Sequence, residues 1–139
     1  MSNMRGMTLA VGAVMVTLGA LTPANAVVAL TGPGAQAGGY ATPVIVVNEG
    51  GSLTYINADS LGAHNIQADE FLPQDTAPWC GKGQGKANND PGQCPLFWSP
   101  LIPVGETAVQ GVEDLPPDDA GYPFFCVAHP TMRGTLIVV

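Results

Sequence analysis

Three side chains that can bind soft metal ions lie close together near the C-terminal end of the chain. Cys126, His129 and Met132 are separated by two residues each, and they follow a run of residues typical of a β-strand. The only other histidine is His64, which comes after a different apolar run. Taken alone, each of these side chains is more often a core or surface residue than a ligand. Their clustering favours a metal site.

The types of these side chains indicate which metal the site would take. Two imidazoles, one thiolate and a thioether form the donor set of a blue copper site, with the His2Cys donors in a plane and methionine as a weak axial ligand. Zinc is the chemical competitor, because His2Cys with an open position also describes a zinc site. Copper is preferred, since Cu(II) stands above zinc in divalent affinity and a thioether adds little for zinc.

Two segments of the chain resemble the small cupredoxins, the family of plastocyanin, pseudoazurin and amicyanin. Residues 53–66, in which His64 is followed by Asn65, are similar to the strand and loop that carry the first histidine ligand of that family. Residues 122–139 are similar to its Cys-x2-His-xn-Met loop and closing strand, with n equal to two. A loop of this length resembles that of amicyanin, the shortest form.

The resemblance implies one type 1 copper ion and a set of four ligands. The equatorial ligands would be His64, Cys126 and His129, and the axial ligand would be Met132. Asn65 would hold the two ligand loops together and donate a hydrogen bond near the thiolate, which is a common way of tuning a metal site.

The resemblance also implies the function of a mobile one-electron carrier between redox partner proteins. The ring edge of His129 would be reached through an apolar rim on the surface. The residues of this rim would be Leu61, Gly62, Ala128 and Pro130. Weak and transient docking suits such a carrier, because small interfaces are typical of redox encounters.

Two other functions compete with this interpretation. A multicopper oxidase or reductase would need additional histidines, and both histidines of the chain are already assigned. We therefore expect that the protein is not an enzyme. A copper chaperone or scavenger outside the cytoplasm is the alternative that stays open, although such proteins need exchangeable ligands in an open segment rather than in a loop bounded by strands.

The first 26 residues have the organisation of a secretory signal peptide. A short segment with Arg5 as its only charge precedes an apolar run over residues 7–21, which is shorter than the ~20 residues that span a bilayer. Ala24-Asn25-Ala26 then forms an Ala-x-Ala cleavage site. We predict a signal peptide over residues 1–26, a cupredoxin-like domain over residues 27–139 and a periplasmic or extracellular location. An uncleaved N-terminal anchor is the alternative.

The chain is strongly acidic, which limits its partners. Its net charge is −7 at pH 7, and it becomes −8 when residues 1–26 are removed with their single arginine. Such a chain does not bind nucleic acid by counterion release, and it attracts partners that have a basic patch. We expect a monomer that has redox proteins as its partners, with no nucleic acid and no stable membrane insertion.

The chain has three cysteines, an odd number for an exported protein. Cys80 and Cys94 bracket a segment that is mostly glycine and polar residues. A disulfide here would restrain a loop that has no core of its own and would contribute about 3 kcal/mol in the chain-entropy model. We predict that Cys80 pairs with Cys94, which leaves Cys126 for the metal. The alternative is that both thiols are free or bind a metal.

Short β-type runs separated by turn residues indicate an all-β fold. The predicted strands are residues 27–30, 43–47, 52–57, 63–68, 106–112, 121–126 and 134–139. This spacing predicts a Greek-key antiparallel β-sandwich or barrel, with residues 48–51 joining the second and third strands as a hairpin. Residues 70–103 would form an irregular, disulfide-closed insertion that is pinned by Trp79 and Trp98.

Overall fold

The computed structural model of the chain describes residues 26–72 and 94–139. These ranges contain nine β-strands, a short α-helix α1 (Ala35–Gly38) and a 3-10 helix at Val112–Asp114. The strands are β1 (Ala26–Thr31), β2 (Val44–Val47), β3 (Ser52–Asn57), β4 (Gln67–Ala68), β5 (Phe71–Leu72), β6 (Cys94–Pro95), β7 (Gly105–Val109), β8 (Asp118–Cys126) and β9 (His129–Val138). No helix in the described ranges is long and apolar enough to cross a membrane. The prediction of a mainly β fold is confirmed.

The strands form two main sheets. One sheet has the order β1-β3-β7 and the other has the order β2-β9-β8-β4, while β5 and β6 pair separately. The pairs β1–β3 and β2–β9 are parallel, and the other pairs are antiparallel. The predicted antiparallel pairing therefore holds for most of the pairs, but it is wrong for β1–β3 and β2–β9. The chain passes from β1 to the other sheet and back to β3, and a crossover of this kind allows two strands to align in parallel.

The predicted hairpin between β2 and β3 is also wrong. Residues 48–51 do form a tight turn, in which the Gly51 N–H donates to the Asn48 carbonyl at 2.8 Å and Gly50 has a φ of 72°. The two strands belong to different sheets, so this turn carries the chain across the core instead of back along it. Glycine predicts the reversal, but it does not determine which sheet the next strand joins.

The buried faces of the strands follow the predicted period of two. Leu53 and Tyr55 of β3 are buried, and so are Leu136 and Val138 of β9, while their neighbours along each strand are partly exposed. All four belong to one apolar cluster with members from both main sheets. Successive side chains of a strand point to opposite faces, so the core lies between the two sheets.

Two of the predicted strands are shorter than expected. The predicted strand over residues 63–68 is reduced to β4, because the backbone before β4 bonds to an irregular segment: the Ser99 N–H donates to the Ile66 carbonyl at 2.8 Å. The predicted strand over residues 106–112 ends as β7 at Val109, because Gly111 has a φ of 90° and precedes the 3-10 helix as its N-cap. Neither bond pattern can be read from residue types alone.

The described end of the predicted insertion is tied into the fold. The Trp98 N–H donates to the Gln110 carbonyl at 3.0 Å, and the Gln110 N–H donates back at 2.7 Å. The Trp98 side chain is buried, and β5 pairs with β6. Residues 73–93 lie outside the described ranges, Trp79 and Cys80 included. The predicted disulfide and the role of Trp79 therefore stay predictions.

Candidate metal site

The hairpin of β8 and β9 carries two of the predicted ligands. Cys126, the last residue of β8, lies opposite His129, the first residue of β9. The next pair is Phe125 with Arg133, so β8 advances by one residue while β9 advances by four. Residues 130–132 therefore have no partner on β8. This irregularity releases the backbone of the predicted ligand loop from the regular sheet.

The backbone around the third predicted ligand, His64, is fixed from two sides. The His64 N–H and carbonyl both bond to the backbone of Ile102, at 3.0 Å each. The Asn57 side-chain amide donates to the carbonyls of Gly62 and Ile102, both at 2.9 Å. The loop between β3 and His64 is thus fastened at its start and its end, and the imidazole is fully buried.

The donor atoms of the three predicted ligands converge on one point. The Sγ atom of Cys126 lies 3.8 Å from Nδ1 of His64 and 3.8 Å from Nδ1 of His129. The ligand atoms of all three residues lie within 4.8 Å of one another. Nitrogen and sulfur donors sit about 2.0–2.3 Å from a bound zinc ion, so two donors of one ion lie roughly 3–4.5 Å apart. The observed spacings fit a single transition-metal ion.

Cys126 has the state that a metal ligand needs. Its thiol is fully buried and forms no disulfide. The rings of His64 and His129 lie 4.7 Å apart between centroids and are tilted by 44°. His64 is buried, whereas His129 is partly exposed. The site therefore has a closed side at His64 and an open side at His129.

Met132 lies on the stretch of β9 that has no partner on β8. Its side chain is fully buried and belongs to the apolar core cluster. The structure thus brings His64, Cys126 and His129 together, and it places Met132 in the core on the same hairpin. A role for Met132 as the axial ligand stays a prediction.

The residue after His64 links the two ligand loops, as predicted. The Asn65 Oδ1 atom accepts a hydrogen bond from the Val127 N–H at 2.9 Å. Its amide group donates to the Ser99 carbonyl at 3.2 Å. The linking role of Asn65 is therefore present. Since the NH2 group has a second N–H, the predicted donation near the thiolate stays a prediction.

Two buried tyrosines form hydrogen bonds in the core, and one of them, Tyr40, bonds to the segment that follows His64. The Tyr40 hydroxyl donates to the Asn65 carbonyl at 2.5 Å, and the hydroxyl of Tyr55 shares a hydrogen bond with Thr31 at 2.7 Å. Burial raises the pKa of Tyr55 to about 12 and raises the pKa of Tyr40 well above its usual range. Both phenols are therefore neutral at ordinary pH, and Tyr40 acts as a stable donor to the ligand-bearing segment.

One polar residue of the site was not predicted from the sequence. The Oδ2 atom of Asp59 lies 3.0 Å from Nε2 of His64, and Oδ1 accepts a hydrogen bond from the Leu61 N–H at 3.0 Å. The Leu61 backbone bond, followed by the bond with His64, lowers the pKa of Asp59. A carboxylate at Nε2 favours the tautomer that leaves Nδ1 free to bind a metal.

Comparison with known families agrees with this geometry. The family model for copper binding proteins, the plastocyanin/azurin family, matches residues 27–139. The chain belongs to this family. No curated protein sequence matches it.

Solved structures show the same cupredoxin fold. A purple cupredoxin from Nitrosopumilus maritimus is 23% identical, with a TM-score of 0.53 over 81% of this chain and 98% of that chain. A Cu(I) form of an amicyanin variant is 19% identical, with a TM-score of 0.50 over 82% of each chain. These similarities establish the fold of this cupredoxin.

Membership of the family identifies copper as the cofactor. The donor set of the described site fits that ion, since two imidazole nitrogens and one thiol sulfur converge on one point and such soft and borderline donors suit copper. Cupredoxins are generally electron carriers rather than enzymes, and they act with redox partner proteins.

Proposed function

We propose that this cupredoxin is an exported one-electron carrier. The observation that carries the proposal is the convergence of His64, Cys126 and His129 on a single point at one end of the sandwich. Bound copper supplies a one-electron couple between Cu(II) and Cu(I). Within residues 26–72 and 94–139, no second group of histidine, cysteine and acidic side chains is close enough to hold another metal. A carrier needs only one centre.

In this proposal, His64, Cys126 and His129 are the equatorial ligands and Met132 is the axial ligand. The Asn65 bridge to Val127 ties the His64 loop to the β8–β9 hairpin. Donors that are held in place by such bonds move little when the charge of the bound ion changes. A small structural change between oxidation states favours fast electron transfer, which is what a carrier requires.

The partly exposed edge of His129 is the proposed path for the electron. In the predicted rim around it, Leu61, Ala128 and Pro130 are exposed and Gly62 is partly exposed. Leu61 is 82% exposed, an unusual state for a leucine. An apolar rim excludes water from a docked partner without requiring strong charge pairing, and that suits a short-lived complex.

Other exposed apolar side chains lie next to the ligand-bearing segments. Val127 lies in the turn between Cys126 and His129. Leu101 and Val104 lie within two residues of Ile102, which pairs with His64. Together they extend the apolar surface at the end of the molecule that carries the site. The acidic remainder of the chain would attract a partner whose docking surface is bordered by basic side chains.

The alternative function, that of a copper chaperone or scavenger, is tested by redox cycling. The copper-loaded protein, expressed from Val27, is reduced and reoxidised repeatedly while its visible spectrum and its copper content are measured. We expect an intense blue band that disappears on reduction and returns on oxidation with the copper retained. Transfer of Cu(I) to a competing chelator on each reduction would favour the chaperone, and a Cu(II) form without the band would contradict the site.

The axial role of Met132 is tested by two substitutions of similar size. Met132→Gln should lower the reduction potential, because the harder amide oxygen favours Cu(II). Met132→Leu should raise it, because the weak ligand is removed and nothing replaces it. A tenfold change in the ratio of Cu(II) to Cu(I) affinity corresponds to about 59 mV for a one-electron couple. Equal potentials for the two variants, measured by redox titration, would show that Met132 serves only in packing.

Export and the Cys80–Cys94 disulfide form part of the same proposal. The family match begins at residue 27, next to the expected cleavage site, and Cys126 is a free thiol that is not needed for a disulfide. Expression with the signal segment in a host with a periplasm should give a protein that begins at Val27 and has one thiol that reacts with alkylating reagent after unfolding. Mass spectrometry before and after reduction measures both. Three reactive thiols would contradict the disulfide.

A further inference from the structure

Asp59 is the one acidic side chain that is buried in the part of the chain described by the structure. Only 1% of its surface is exposed, and it contacts the Nε2 atom of His64 at 3.0 Å. A buried carboxylate is costly unless it is hydrogen bonded or paired with a charge. Its presence beside a metal ligand therefore calls for a reason beyond packing.

We propose that Asp59 is a positioning residue that fixes the tautomer and orientation of His64 and lowers the reduction potential of the copper site. This inference rests on the proposed role of His64 as a copper ligand. The bond from Asp59 would hold the proton on Nε2, so that the lone pair of Nδ1 points toward the thiol of Cys126, 3.8 Å away. Partners of this kind orient a ligating histidine and raise its basicity.

The carboxylate is itself held in place. Its Oδ1 atom accepts the Leu61 N–H at 3.0 Å, and the Asp59 N–H donates to Asn57 Oδ1 at 3.0 Å. Asn57 in turn bonds to the carbonyls on both sides of the loop. Asp59 therefore cannot turn away from His64 without breaking a connected set of bonds.

Gly62 lies close to the edge of the His64 ring that contacts Asp59. A Cβ atom on Gly62 would lie 3.0 Å from Nε2 and 3.3 Å from Cε1. The loop thus passes close to this edge of the ring, and a side chain at position 62 would press on it. The absence of a side chain at Gly62 allows the imidazole to approach Asp59 closely.

Within the described ranges, Asp59 has no ion pair with a lysine or arginine. Arg133, the one lysine or arginine within residues 26–72 and 94–139, pairs with Asp69. The negative charge of Asp59 therefore acts on the metal ligand without a competing ion pair. A negative charge next to the site stabilises the doubly charged Cu(II) more than the singly charged Cu(I), so it lowers the potential.

The test compares Asp59→Asn and Asp59→Ala with wild type and with Asp119→Asn. Asp119 is exposed and lies seven residues before Cys126 on β8, roughly 23 Å away along an extended strand. We expect both Asp59 variants to lose about 10- to 100-fold in Cu(II) affinity and to lose less in Cu(I) affinity. Each tenfold difference between these two losses raises the potential by about 59 mV. The Asp119→Asn variant should match wild type.

A residue that only stabilised the loop would weaken both oxidation states equally, so an unchanged potential in Asp59→Asn would overturn the proposal. A wild-type protein that shows no blue band would instead contradict the proposed copper site, and the two failures are therefore distinct. One measurement needs no variant. Long-range proton–nitrogen NMR of the metal-free protein should show His64 protonated at Nε2, and protonation at Nδ1 alone would also overturn the proposal.

Discussion

Replacement of Cys126 by serine is expected to abolish the visible absorption of the copper-loaded protein completely. The blue band comes from charge transfer between a thiolate and Cu(II), and an alcohol cannot supply the soft, anionic donor that this requires. The Sγ atom is also the atom that both Nδ1 atoms approach, at 3.8 Å each. Cys126→Ser should therefore lose the band and bind Cu(I) much more weakly, since a thiolate is a favoured Cu(I) ligand.

The substitution changes a single atom, so its effect on folding can be separated from its effect on the metal. The far-ultraviolet circular dichroism and the melting temperature of the metal-free variant should stay close to those of wild type. Cys80→Ser is the matched control, because it removes a thiol from the predicted disulfide and should leave the colour intact. A band of wild-type intensity in Cys126→Ser, or a colourless Cys80→Ser protein, would mean that the thiols are wrongly assigned.

The candidate ligands could be proposed from the sequence because three of the four are neighbours along the chain. Cys126, His129 and Met132 lie within one hairpin, and their donor chemistry indicates copper whatever the rest of the fold does. His64 could be added because it was the only other histidine and resembled a known segment. The structure brings His64, Cys126 and His129 together, as this reasoning predicted.

The role of Asp59 could not be predicted in the same way. It lies five residues before His64, and acidic residues at that distance in loops are usually solvated. Its buried position depends on two hydrogen bonds that form only when the loop closes. The Leu61 N–H donates to the Asp59 carboxylate, and the Asp59 N–H donates to the Asn57 side chain. The one available signal is the Asn57-Ala58-Asp59 sequence itself, since asparagine and aspartate often bond to the backbone two residues further on.

The pattern of apolar residues also predicted the strands better than it predicted how the strands pair. Alternation of apolar residues predicted β3 without error, because a period of two depends only on burial of one face. It gave no information on partners, so the parallel pairs β1–β3 and β2–β9 were missed. Pairing is decided by the path of the chain between sheets, which leaves no periodic signal in the sequence.

Substitution of Gly134 by alanine is expected to cause a large loss of stability for the addition of a single methyl group. A Cβ atom at this position would lie 2.3 Å from Cζ of Phe124 and 2.7 Å from the Pro43 carbonyl oxygen. Phe124 is fully buried and packs edge-on against Tyr40, with ring centroids 5.1 Å apart. The Pro43 carbonyl also accepts the Thr135 N–H at 2.8 Å, which fixes its position.

Neither neighbour of Gly134 can therefore move without breaking other contacts. Overpacking of this kind costs about 1–3 kcal/mol, occasionally more. Each kcal/mol lowers the melting temperature of a domain of this size by roughly 3–5 °C, between the values for smaller and larger domains. Gly32→Ala is the control, because a Cβ atom there meets nothing within 4 Å. Equal melting temperatures for the two variants, measured on metal-free protein, would contradict the packing argument.

The same substitution should also disturb the metal site. Gly134 lies two residues after Met132 on β9. Its partner in the β8–β9 pairing is Phe124, which lies two residues before Cys126 on β8. If the hairpin relieves the clash by moving β9 away from β8, the stretch that carries Met132 moves with it. We expect the blue band of Gly134→Ala to shift in wavelength or intensity, while that of Gly32→Ala stays unchanged. An unshifted band in a destabilised Gly134→Ala protein would show that the relief occurs at Pro43 instead.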